Sequence, residues 1–204
     1  MKVFIDYDTT LIDLIHPWLH WVNQRYNTHL TPNDITRWYF LREELGEEVD
    51  DFWKSDAFNW YRDKNVLQPF CGAVDFVKQL QHDIGQENVW IISSTKEHHK
   101  LEKLAHIVHY FDIQEHNCLL VGKEKYLYTS NGILIDDYPL HVMEHIHHNQ
   151  QKGIVFNFNN EFGWAQKQNY ETDVTLKPFL PTCHSKYFSI HTNYQTILEE
   201  ICHG

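Results

Sequence analysis

Val3-Phe4-Ile5-Asp6-Tyr7-Asp8-Thr9-Thr10-Leu11 is the stretch whose reading decides the fold. Three consecutive apolar residues read as a buried strand, and the strand runs straight into Asp6 and Asp8. Alternation along an extended chain points both carboxylates the same way, about 7 Å apart along the backbone. Two acids at the mouth of a buried strand repel each other and lose solvation, a cost that a cation normally offsets. Ligation by oxygen alone favours a hard ion such as Mg²⁺. Asp also favours turns, so the pair by itself is open to that plainer reading.

Working outward, Ile12, Ile15, Leu19 and Val22 recur at helical spacing, with Trp18 and Trp21 widening the stripe and Pro17 tolerated near the first turn. From Asn27 to about Gln68 the pattern changes. Thr31-Pro32-Asn33-Asp34 reads as a helix start, and Trp38, Tyr39, Phe40, Phe52, Trp53, Phe58, Trp60 and Tyr61 follow among many acids. The segment reads as helical, aromatic and strandless, an insertion that covers something. Beyond Pro69 to Gly72, Ala73, Phe76, Val77 and Leu80 form another helical stripe. Val89 to Ile92 is a second buried strand ending in Ser93-Ser94-Thr95, and a helix follows with Leu101, Leu104 and Val108 on one face. Cys118 to Val121 is a third strand, and Ile133 to Ile135 a fourth that ends in Asp136-Asp137. Pro139 then opens a helix through Leu140, Met143 and Ile146. Gly153 to Phe156 is a fifth strand. Asn169 to Ser189 reads as irregular, and Thr192 with Gln195 as a capping box for a closing helix through Leu198 and Ile201.

Strands alternating with helices imply a parallel sheet covered on both faces, and such sheets gather ligands at the carboxyl ends of their strands. Here three strands end in Asp6/Asp8, Ser93/Ser94 and Asp136/Asp137. A turn or a helix cap explains any one of these ends; their convergence is the stronger argument for a site.

The bulk composition narrows the function classes. At 204 residues, 42% hydrophobic and 15% aromatic, the chain has material for one core with a small insertion. A net charge of −11 argues against stable nucleic-acid binding and against an anionic membrane surface. No apolar run approaches the roughly 18 residues of a membrane span. The first residues do not read as a signal peptide, and Cys71, Cys118, Cys183 and Cys202 form no C-x-x-C pair. They read as reduced thiols in a cytoplasmic protein. Of 16 histidines, His141, His145 and His148 share a helical face, as do His16 and His20, a spacing able to chelate a transition metal. Solvated histidines are the commoner outcome. A homodimer is left open.

Asp6-Tyr7-Asp8-Thr9-Thr10, Ser93, a lysine at Lys123 or Lys125, and Asp136-Asp137 resemble the four motifs of haloacid-dehalogenase-like phosphatases. The likeness extends to the 5′(3′)-deoxyribonucleotidase branch through Leu11-Ile12-Asp13, Pro69-x-x-Gly72-Ala73-Val74 and Leu134-Ile135-Asp136-Asp137-x-Pro139. Asp34-Ile35-Thr36-Arg37-Trp38 is the counterpart of that branch's aromatic cap. Thr9 stands where the branch usually has glycine, Thr10 where it often has valine, and Leu14 where it is often aromatic. These departures leave the phosphoryl chemistry untouched and bear on base and sugar selectivity.

The resemblance implies a Rossmann-like α/β core over residues 1–15 and 69–204, with residues 16–68 as a helical cap. It implies Asp6 as nucleophile and Asp8 as the acid and base at the leaving oxygen and the water. Mg²⁺ would be held by Asp6, the Asp8 backbone carbonyl and Asp136, with Asp137 either its neighbour or the ligand in its place. Ser93, and Ser94 in the same manner, would donate to a phosphoryl oxygen. Lys125, or else Lys123, would neutralise the charge on the transferring group. Thr10, Arg37, Trp38 and Tyr39 join Ser94 as substrate-contact candidates. The implied activity is hydrolysis of a nucleoside monophosphate, in particular a deoxyribonucleotide. A sugar phosphate or other small metabolite, a catalytically silent ligand-binding member, and nucleic-acid ends stand as alternatives.

Overall fold

The computed structural model describes residues 1–54 and 60–203, with the side chains of 53, 54 and 203 outside the description. Phe58 and the Trp53 side chain, both assigned above to the insertion, therefore lie outside the described residues.

The sheet has six strands, all parallel: β1 (Lys2–Asp6), β2 (Val89–Ser94), β3 (Cys118–Val121), β4 (Gly132–Asp136), β5 (Gly153–Phe156) and β6 (Phe188–His191). Their spatial order is β3-β2-β1-β4-β5-β6. The apolar first strand is central because it has no polar face to offer water. Phe4 packs with Ile92 and Leu134 on one side of the sheet, while Val3 and Ile5 join the main core on the other. The chain leaves β1 toward β2 and later returns to β4 on β1's opposite edge, so the order reverses at β1. That reversal is where a parallel sheet leaves a crevice. Register completes the convergence: Ile5 pairs with Ile135 and Asp6 with Ile92, which brings Asp6, Asp136 and Ser93 to one end of neighbouring strands.

The α-helices among the described residues are α1 (Ile15–Tyr26), α2 (Phe40–Leu45), α3 (Ala73–Ile84), α4 (Lys100–Tyr110) and α5 (Pro139–Asn149), which lie between strands, and α6 (Tyr194–His203), which follows β6. Ile12 precedes α1 instead of joining it; it is buried and bridges to Asp8 and Pro69. The start at Thr31 is a single 3-10 turn, Pro32–Asp34, closed by Thr31 N–H to Asp34 Oδ2 at 2.8 Å. Between α1 and α3 the described residues contain no strand, and Ile35, Leu41, Val49 and Tyr61 belong to the same core as the sheet. Phe52 sits between the α1 tryptophans and Trp60, its ring centroid 5.2 Å from Trp21 and 4.7 Å from Trp60.

Three further expectations are corrected. The irregular stretch ends in a strand, β6, whose apolar–polar alternation runs over only the four residues Phe188–His191 and is too short to stand out. The cap of α6 is Asn193, whose Oδ1 accepts the Thr196 N–H at 3.0 Å, and not Thr192. In α4 two of the three residues of the expected apolar stripe face outward: Leu101 is 79% exposed and Val108 40%, with Leu104 half-buried, while Lys103, His106 and Ile107 are buried. Burying a Leu or Val side chain contributes roughly 1.5–3 kcal/mol, so α4 forgoes apolar burial to turn a lysine and a histidine inward. The reason lies in the site.

The turn after β1 holds a non-glycine residue in the left-handed region: Thr9 has φ 61°, with its N–H bonded to the Ile12 carbonyl at 2.8 Å. A β-branched side chain is strained there, by about 1–2 kcal/mol. Thr9→Gly is expected to raise unfolding stability by about 1 kcal/mol after the glycine's extra unfolded-state entropy is subtracted. Chemical denaturation measures this; a loss of stability would mean that the Thr9 side chain contributes more than its backbone costs.

The histidines of α5 do not converge. His145 is fully buried, with Nε2 3.2 Å from the Lys152 carbonyl and Nδ1 2.8 Å from the Thr129 hydroxyl. His148 stacks on Tyr126 at 4.3 Å, and His141 turns toward Asp136. Burial pushes His145 down from 6.5 to about 4. A depressed folded-state value means that the unfolded chain takes up the proton first. Its contribution is therefore present above pH 6.5 and lost as the pH falls through about 4. Against His145→Gln, the wild type's stability advantage is expected to shrink by about 3 kcal/mol over that window. Parallel pH-dependent slopes for the two proteins in urea melts would refute this.

Candidate active site

Four carboxylates and two buried ammonium groups meet at the carboxyl end of β1. Asp6 closes the strand and Asp8 follows the first turn residue. Asp136 ends β4 and Asp137 follows it; Asp6, Asp136 and Asp137 are 5%, 0% and 2% exposed. Lys125 enters from a 3-10 turn before β4, with Nζ 2.6 Å from Asp6 Oδ1 and 2.7 Å from Asp136 Oδ2. Lys123, two residues earlier, is exposed. Asp136 is held by three donors in all, since Oδ1 accepts the Tyr138 N–H at 2.9 Å and His141 Nδ1 lies 3.0 Å from Oδ2. Asp137 Oδ2 accepts the Trp164 indole N–H at 3.2 Å.

Around Asp8 a second cluster forms. Lys103, 1% exposed, donates to Asp8 Oδ2 at 2.5 Å, to Ser93 Oγ at 3.1 Å and to the Ser94 carbonyl at 3.1 Å. Ser93 donates onward to the same Asp8 oxygen at 3.1 Å. Tyr61, from the insertion, donates to Asp8 Oδ1 at 2.5 Å. Burial and the neighbouring Asp8 charge hold the Tyr61 phenol well above its ordinary value, which keeps it a donor.

The remaining candidates lie farther out. The Ser94 hydroxyl is turned to the Gly122 carbonyl at 3.0 Å. The Thr10 hydroxyl is buried and makes no hydrogen bond with the described residues, while the Thr10 carbonyl accepts from Tyr194 at 2.6 Å. Arg37 pairs with Glu43 and, at 3.5 Å, with Glu44. Trp38 stacks on Tyr138 with ring centroids 4.1 Å apart and stays 41% exposed, as Tyr39 does at 39%. Residues 160–175 close the rim from the other side. Gln166 Nε2 donates to Asn33 at 2.7 Å, and a Cβ at Gly163 would lie 2.5 Å from the Asn33 carbonyl, so only glycine permits the approach. A cleft of about 870 Å³ lies elsewhere, between α3 and α6, and none of Asp6, Asp8, Asp136 and Asp137 lines it.

Electrostatics decide what the site can hold. Burial, then the Asp136 charge, push Asp6 up from 3.8 to about 7 against the pull of Lys125. Burial and the charges of Asp136 and Asp6 also hold Asp137 well above the carboxylate range. Burial works the same way on Asp136, but Lys125 and His141 outweigh it and hold that carboxyl low. Formally, Asp6, Asp8, Asp136 and Asp137 carry four negative charges against two positive ones on Lys103 and Lys125. The surplus matches one divalent cation. Asp6, Asp136 and Asp137 each offer an oxygen within 4.8 Å of the others, and Asp6 Oδ1 has no hydrogen bond of good geometry. An all-oxygen, buried, under-compensated set suits a hard cation.

Against known proteins, the model of the family described as 5′ nucleotidase, deoxy (pyrimidine), cytosolic type C protein matches residues 1–168. The chain belongs to that family. As a member of this 5′-nucleotidase family it is a phosphoric monoester hydrolase, and its six-stranded parallel sheet is the haloacid-dehalogenase-like fold. A haloacid-dehalogenase family hydrolase from Deinococcus radiodurans, solved with bound phosphate and sodium, superposes with a TM-score of 0.64 at 11% identity, covering 98% of this chain and 94% of that one. A haloacid-dehalogenase-like hydrolase from Burkholderia xenovorans gives 0.57 at 14% identity, covering 98% and 95%. A hydrolase from Pseudomonas syringae gives 0.54 at 13%, covering 98% of each chain. No curated protein matches the sequence. Among the described residues of this nucleotidase-family chain, no helix is long and apolar enough to cross a membrane.

Lys103, Tyr61, His141 and Trp164 are the site neighbours that motif reading missed. For Lys103 the apolar spacing of α4 pointed the wrong way; only the polar row Lys103, His106 and Tyr110 on the opposite face carried a signal.

Proposed function

We propose that this chain is a Mg²⁺-dependent phosphatase that hydrolyses a nucleoside monophosphate, in particular a deoxyribonucleotide, through an aspartyl-phosphate on Asp6. The observation that carries the reading is the contact of one buried lysine, Lys125, with both Asp6 and Asp136, inside a site left two charges short. The family's description as a deoxy (pyrimidine) 5′ nucleotidase supports the substrate class. Residues 16–68 act as the cap, with Trp38 and Tyr39 offering exposed rings at the rim beside Tyr138 for a base to meet.

Asp6 attacks phosphorus, a P–O bond to its carboxylate forms, and the bond to the nucleoside oxygen breaks. Asp8 gives that oxygen its proton, then takes one from the water that releases phosphate from Asp6. Lys125 balances the charge gathering on the phosphoryl oxygens, and Lys103 with Ser93 orients the Asp8 carboxylate. Asp6 and the Asp8 carbonyl, with Asp136, Asp137 or both, are the groups that would hold Mg²⁺. When bound, the cation neutralises phosphate charge and draws electron density from phosphorus.

Phosphate release is measured from a panel of nucleoside monophosphates and sugar phosphates, in Mg²⁺ and in EDTA. The expected result is release from deoxyribonucleotides that stops in EDTA. Release from sugar phosphates alone overturns the substrate class, and full activity in EDTA overturns the cation.

A further inference from the structure

Asp8 is gripped unequally at its two oxygens. Oδ2 receives both the Lys103 ammonium at 2.5 Å and the Ser93 hydroxyl at 3.1 Å. An oxygen already accepting from a cation and a hydroxyl is a poor place for a proton. The proton that Asp8 transfers therefore sits on Oδ1, the oxygen that Tyr61 faces at 2.5 Å. Tyr61 is itself fixed. It is 4% exposed, its ring stands edge-on to His106 with centroids 5.6 Å apart, and Lys103 Nζ lies 4.9 Å from its ring centroid. His106 is anchored in turn by Tyr7, whose hydroxyl lies 2.5 Å from His106 Nδ1. Tyr61 belongs to the insertion, whereas Lys103 and Ser93 belong to the core, so the acid is clamped from both sides.

We infer that Tyr61 is a positioning residue for proton transfer: its hydroxyl aims Asp8 Oδ1 at the leaving oxygen and stabilises the carboxylate that appears there as the proton departs. The inference rests on the phosphatase reading above. In the step concerned, phosphorus gains a bond to Asp6 and loses its bond to the substrate oxygen. The Asp8 proton moves to that oxygen, the alcohol leaves, and Asp8 is left anionic. Negative charge thus grows on Asp8 during the transition state, and the hydrogen bond that Tyr61 donates to it strengthens. An interaction stronger in the transition state than in the ground state accelerates the step. It also ties acid catalysis to the seating of the insertion, because a displaced Tyr61 leaves Oδ1 without its donor.

The need for this acid depends on the leaving group. An alkoxide leaves poorly without a proton, whereas a nitrophenolate leaves readily. The test compares Tyr61→Phe with wild type, in Mg²⁺, on deoxyuridine 5′-monophosphate and on p-nitrophenyl phosphate. The readout is kcat/KM, which reports formation of the phosphoenzyme and leaves out its shared hydrolysis. The expected result is a drop of about tenfold to a hundredfold on the nucleotide with a change of less than about threefold on the aryl ester. The ratio of the two values on one preparation is independent of the folded fraction, so partial unfolding does not mimic the effect. Equal losses on both substrates, or none on either, overturn the inference and leave the phosphatase reading standing. If the wild type releases phosphate from neither substrate, the phosphatase reading falls and takes this inference with it.

Discussion

Asp6→Asn is expected to lower turnover by more than about a thousandfold while the fold persists, because an amide oxygen is far too weak a nucleophile to open the phosphate ester. Asparagine is nearly isosteric, so packing beside Ile5 and Ile135 is retained. The stability effect runs opposite to the activity effect. Burial and the Asp136 charge lift Asp6 from 3.8 to about 7, so ionising it in the folded chain opposes folding. A raised folded-state value means that the contribution is fully present below pH 3.8 and lost as the pH rises through about 7. In EDTA the wild type should therefore lose stability across that window relative to Asp6→Asn, and the variant should melt at or above the wild-type temperature at pH 8. Phosphate release paired with melting curves checks both halves. Residual turnover above about a hundredth would give the nucleophile's role to another group.

Lys125→Met should damage both properties. The lysine is 2% exposed and lies against two carboxylates, with a third close by. Removing one partner of a buried ion pair typically costs about 3–5 kcal/mol, since the remaining charges stay desolvated and uncompensated. The same change removes the cation that meets charge on the transferring phosphoryl group, for an expected loss of about a hundredfold to a thousandfold in kcat. Lys123→Met is the control. Its side chain is exposed, and a surface change of this kind usually alters stability by less than about 0.5 kcal/mol. Added Mg²⁺ should recover part of the melting temperature of Lys125→Met without recovering turnover, because a cation among the acids offsets their repulsion but does not replace a donor at the phosphoryl oxygens. Equal behaviour of the two variants would show that Lys125's placement has no bearing on catalysis.

How much of the site was legible follows from where each signal resides. Asp6, Ser93 and Asp136 were legible because an apolar strand announces its own end, and parallel strands bring their ends together. The deeper arrangement was not. Lys103 meets Asp8 across 95 positions of sequence and Tyr61 meets it across 53, and neither carries a local pattern that says so. On α4 the local pattern misled. Apolar spacing assigned Leu101 and Val108 to the interior, yet pairing with Asp8 and Tyr7 draws Lys103 and His106 there instead. A run of residues 160–190 with little periodicity left β6 and the Trp164 contact to Asp137 unread.

From its order of residues alone, this protein's architecture was determined: alternating apolar strands and amphipathic helices leave a covered parallel sheet as the way to bury both kinds of surface. The placing of acids at two strand ends and of serines at a third followed from the same alternation. Only the tertiary structure decided which lysine lies against Asp6 and Asp136, which groups grip Asp8, and how the segment after β5 closes the rim. Periodicity reports which side of an element avoids water. A buried charge is held by partners distant in the chain, so its place is settled only when the whole fold brings those partners within reach.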